Sequence, residues 1–186
     1  MRPVLFAVSS LILGAAAPGL AAAQSATATP AEAFLHAVQK VCAPNAMGAL
    51  PLNPPSAALT DLNVMLVDGG TDPSVRGAFH DMPATIDYGA VASATGQIVI
   101  GADEAGSCRV AAINVSAADV GAIRTALRGQ ASGWNPISND ADAGQTTYSG
   151  TLDGQSVMVE VTVPPAGSHW GAAGIMVTVM NPAAPG

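Results

Sequence analysis

Two cysteines, Cys42 and Cys108, stand in a chain of 186 residues, and nothing else in the sequence limits the fold as much. Two thiols allow a single intramolecular bridge, so its connectivity is fixed. A bond between them would close a loop of 67 residues. The chain-entropy model gives such a loop about 4 kcal/mol, a large share of the ~5–15 kcal/mol that holds a typical domain together. The other use of two cysteines, as catalytic or metal-binding thiols, favours C-x-x-C spacing, which is absent. A structural disulfide is therefore the expectation, and it needs an oxidising compartment.

The first 23 residues supply the route to one. Arg2 provides a positive start, Val4 to Leu13 is a short apolar stretch, and Ala21-Ala22-Ala23 offers the small residues of a signal-peptidase site. Cleavage after Ala23 would leave Gln24 as the new N-terminus. The apolar stretch falls short of the about 20 residues that span a bilayer, and position 24 lacks the cysteine of a lipid anchor. The expected product is periplasmic or secreted, with no stable membrane anchor. Loss of Arg2 leaves 5 basic residues against 13 acidic ones, a charge of −8. Lys40 is then the only lysine. Nucleic acid is excluded as a partner, because phosphate contacts need clustered Lys and Arg.

After a short lead expected to be disordered (24–28), Thr29-Pro30-Ala31-Glu32 reads as a capped helix start. Phe34, Val38 and Val41 then form one apolar stripe that Cys42 shares. Pro44 is expected to end that helix, and residues 43–56, rich in Pro and Asn, read as an irregular loop. Residues 57–67 lean helical, with a strand from Asn63 as the alternative. A short helix follows Asp72-Pro73. Thr85–Tyr88, Gln97–Ile100 and Ser107–Val115 read as strands, with Cys108 opening the returning arm of a hairpin. Ser116 caps a second helix that buries Val120, Ile123 and Leu127, carries Arg124 and Arg128 near its C-terminus, and stops at Gly129. Residues 132–145 read as turns. Thr146–Thr151 and Gln155–Val163 flank Asp153-Gly154 as a hairpin, and Gly174–Met180 is the last strand. The tail 181–186 is expected to fray. The order predicts a single two-layer α+β domain over 29–180, an antiparallel sheet with helices packed on one face. The disulfide would staple the first helix to that sheet.

The chemistry-bearing residues are few. Met158, Met176 and Met180 alternate with valines that should lie under the helices. They would share the opposite face with Glu160, Thr162 and Thr178, flanked by Tyr148 and Trp170. That face is the expected binding surface, for a protein or a small molecule, since methionine makes adaptable contacts. Thioethers also suit Cu(I). His80, Met82 and His169 lie in loops and are the candidate metal ligands, although their spacing matches no recognised motif. His36, off the apolar stripe, reads as a solvated side chain. Asn139 to Gly144 has the look of a calcium loop without its full ligand set, so an acidic turn is the expectation. The chain has no G-x-S-x-G elbow, no H-E-x-x-H and no phosphate-cradling glycine loop. The sequence thus points to an exported, non-catalytic binding or envelope-associated domain that needs no cofactor. A metal-dependent enzyme or copper carrier is the alternative.

Overall fold

Alternating valines lay down the centre of the sheet. In β7 (Gln155–Thr162) and β8 (Ala173–Met180), Val157, Val159, Ile175, Val177 and Val179 point to one side and are buried there. The computed structural model describes residues 27–67, 73–79, 87–103, 105–130, 134–152, 154–165 and 173–183. The other strands are β1 (Val64–Val67), β2 (Asp87–Val91), β3 (Gln97–Ala102), β4 (Ser107–Ile113), β5 (Asn135–Asp140) and β6 (Gln145–Leu152). All neighbours pair antiparallel, in the order β1-β2-β3-β4-β8-β7-β6-β5. At the β6–β7 turn Gly154 takes φ +82°, a left-handed conformation that glycine adopts without a steric penalty.

One face of this sheet carries the helical layer. α1 (Pro30–His36) starts on a capping box. Thr29 Oγ1 accepts from the Glu32 N–H at 3.3 Å, and Glu32 Oε2 accepts from the Thr29 N–H at 2.9 Å. The helix does not stop before Pro44 as the sequence suggests. It widens into a π-helical stretch (Ala37–Cys42) and continues as α2 (Ala43–Ala46). Proline has no N–H and its ring crowds the carbonyl four residues back. The wider turn, in which the Ala43 N–H bonds the Val38 carbonyl, relieves that conflict. α5 (Ala117–Gln130) lies beside α1 and starts on the matching pair Ser116 and Asp119. It runs one residue past Gly129.

Phe34, Val38, Val41, Ile123 and Leu127 sink between helices and sheet, against Ile98, Ile100, Val110 and the valines of β7 and β8. At the centre of this core Cys42 and Cys108 are joined by a disulfide, with their Cα atoms 5.1 Å apart. Both residues are fully buried. The bond fixes the end of the π-helical stretch to β4.

The opposite face is partly covered as well. α4 (Pro73–Ala78) and Phe79 lie over Val99, Ala111, Ile113 and Met176 in a second apolar cluster. Two further departures from the sequence reading are local. Residues 57–67 divide into α3 (Ala58–Asp61) and β1, separated by Asn63 at φ 55°. Within the turn-rich stretch 132–145 lies β5, an edge strand whose residues are all exposed. The lead before 27, residues 80–86 and the tail beyond 183 lie outside the described residues.

Candidate functional site

At the free end of the sheet, α5 and the β5–β6 hairpin leave a groove between them. α5 buries Ile123 and Leu127. Arg124 and Arg128 lie one turn apart, where an i, i+4 spacing puts both on one flank. Both are exposed, and neither forms an ion pair or hydrogen bond with a described residue. The chain then reaches Trp134 at the head of β5.

The register places Tyr148 opposite Val159 and Gly150 opposite Val157. Both therefore look toward the helical layer. Gly150 makes room for the indole of Trp134: a Cβ at that position would stand 2.9 Å from Cγ and Nε1 of the ring. Trp134 Nε1–H points at the Thr151 carbonyl, 3.4 Å away. The Trp134 and Tyr148 rings lie 5.9 Å apart, tilted by 45°, a common aromatic arrangement.

These two rings, the two arginines and the apolar side chains of Leu127, Val161 and Val163 line a cavity of about 270 Å³. Asp140 stands at its hairpin wall. That carboxylate is engaged in the turn, where Oδ1 accepts from the N–H groups of Asp142 (3.1 Å) and Ala143 (3.0 Å). The resemblance of this turn to a calcium loop thus has a local explanation, an Asx turn closed by Gly144 at φ +67°.

The residues singled out from the sequence are distributed differently. Met158 and Met180 are cross-strand partners on the face away from α5, and both are half-buried. Met176 shares that face but is 1% exposed and packs with Phe79 in the second cluster. It is committed to packing and unavailable at a surface. Tyr148 is on the helical face, away from the methionines. Trp170, His80, Met82 and His169 lie outside the described residues. Among the described residues, no three His, Cys, Asp or Glu side chains gather as a metal site. His36 is not free in solvent: its Nε2 lies 3.0 Å from the Leu62 carbonyl and donates to it, tying α1 to the turn before β1.

The methionine face has a polar seam of its own. Arg109, Thr178 and Glu160 are directly opposite one another across β4, β8 and β7. The hydroxyls of Thr162 and Thr178 and Nε of Arg109 are buried without a hydrogen-bond partner among the described residues.

Arg124, Arg128 and Trp134 were not legible as site residues. The arginines have a sufficient explanation in the negative end of the helix dipole, and Trp134 falls among turn residues. The signal was the rarity of the residue types. The chain has six basic residues and two tryptophans, and three of those eight side chains fall within eleven positions.

Comparison with protein-family models, with characterised proteins and with solved structures found no match. The functional reading rests on side chains alone.

Proposed function

We propose that this chain is an exported, disulfide-stapled binding domain that acts without catalysis. Residues 29–180 form its working unit, and the groove between α5 and β6 is its binding surface. The observation that carries the reading is the groove's make-up. It joins in one cavity an aromatic pair held by Gly150, an apolar floor and two guanidiniums that have no partner among the described residues. Ligand sites combine apolar walls with a few placed polar groups in this way. Among the described residues no His or Cys lines the cavity, and Asp140, the one carboxylate among them, is held by the turn. The side chains present can hold a molecule but offer no nucleophile with a base beside it.

Export is supported by the buried disulfide, which persists in oxidising compartments, and by the signal-like residues 1–23. Among the described residues no helix is long and apolar enough to cross a membrane. The methionine face, with Met158 and Met180 half-buried on it, is the competing surface for a partner.

Native mass spectrometry of the protein recovered from the exported fraction tests the reading in one measurement. The expected mass begins at Gln24, lacks two hydrogens for the disulfide and carries no metal. A mass that retains residues 1–23, or a stoichiometric metal ion, would count against it; the ion would favour the metal-dependent alternative built on His80, Met82 and His169.

A further inference from the structure

Charge in the groove runs against the rest of the molecule. The chain carries a net −7 with only six basic residues, yet Arg124 and Arg128 both line this one cavity. Guanidinium groups are forked donors that match a carboxylate oxygen pair. Among the described residues that line the cavity and the helix beside it, two sources of negative charge oppose them. Asp140 contributes one negative charge at the hairpin wall, and the C-terminal end of α5 contributes roughly half a unit more. Two guanidiniums against about one and a half negative charges leave a small positive surplus. That surplus suits one negative charge and not a dianion such as a phosphate monoester.

Size narrows the class further. About 270 Å³ is slightly below the ~300–1,000 Å³ of sites for drug-sized ligands. One ring or a short branched chain fits such a volume. The tilted rings of Trp134 and Tyr148 offer a wall for a flat apolar body, and Leu127, Val161 and Val163 extend it.

We infer that the groove binds a small organic monoacid, with its carboxylate between Arg124 and Arg128 and its apolar body against Trp134 and Tyr148. This specifies the ligand of the site proposed above and rests on that proposal.

The test uses phenylacetate and indole-3-acetate as probes, with their neutral amides as matched controls. In the Trp170→Phe protein Trp134 is the sole indole, because the chain has two tryptophans, so its emission reports on the groove; phenylacetate and its amide are read there, and the indole pair by calorimetry. Each acid is expected to bind at least about tenfold more tightly than its amide, the worth of a charge-assisted hydrogen bond. Arg124→Gln with Arg128→Gln should remove that preference, so that acid and amide bind equally. Both arginines are exposed, so the melting temperature should hold. Trp134→Leu should weaken acid and amide alike. Equal binding of acid and amide, or a preference that survives loss of both arginines, would overturn the monoacid assignment while leaving the groove as a binding site. No binding of any probe at millimolar concentration, with Trp134 emission unmoved, would overturn both.

Discussion

Gly150 decides whether the aromatic wall exists. Its missing side chain lets the Trp134 indole lie on β6, so Gly150→Val should push the ring away. Such overpacking costs about 1–3 kcal/mol, read as a lower melting temperature together with a red shift in Trp134 emission. Thr162 makes the opposite case. Its hydroxyl is buried without a partner, and burying an unpaired hydroxyl is unfavourable. Thr162→Val keeps the shape, removes the hydroxyl and should raise stability by about 1 kcal/mol in denaturant unfolding. Two carboxylates among the described residues contribute to the acid response at this scale. Backbone and hydroxyl hydrogen bonds from Thr29 hold the Glu32 carboxyl below its usual range, and those from the Ser116 hydroxyl and backbone do the same for Asp119. A depressed folded-state value means stability that is present above the usual carboxylate range and fades as pH falls through the lowered value. Thr29→Ala with Ser116→Ala should therefore destabilise the protein at neutral pH and flatten its acid limb. Equal losses at pH 7 and well below the carboxylate range would contradict this.

At the scale of elements, both long helices were legible because their caps and stripes agree: Thr29 with Glu32, Ser116 with Asp119, and buried residues at helical spacing. What escaped had tertiary causes. The helix crosses Pro44 because a π-helical stretch precedes it, and no propensity scale signals that exchange. β5 contains Pro136, two asparagines and an aspartate, all poor strand formers. It forms because β6 offers a free edge, and a register shift between Pro136 and Ser138 accommodates the proline. Burial of Met176 depends on α4 crossing the second face, and strand alternation alone cannot show which face is covered. The face of Tyr148 was within reach of counting. Pairing Leu152 with Gln155 across the hairpin sets Tyr148 against Val159, which puts the ring with the valines. The disulfide belongs to this scale because it joins two elements, the π-helical stretch and β4. Cys42→Ser with Cys108→Ser should cost about 2–5 kcal/mol. Thermal melts with and without reductant should separate for the native chain and coincide for the double variant.

For the whole molecule, the two faces of one eight-stranded sheet have been given different work. One holds the helices, the disulfide and the aromatic–arginine groove. The other holds α4, the Arg109–Thr178–Glu160 seam and the Met158–Met180 pair. The sequence leads to an expectation of function on the methionine side, whereas the proposed groove lies on the helical side. That choice is open to direct measurement. Spectra of the protein labelled at its methionine methyls and indole nitrogens, recorded while phenylacetate is added, report on both faces at once. The Trp134 Nε1–H signal is expected to move in a saturable way while the methyls of Met158 and Met180 stay in place. Movement of those methyls with a stationary Trp134 signal would contradict it.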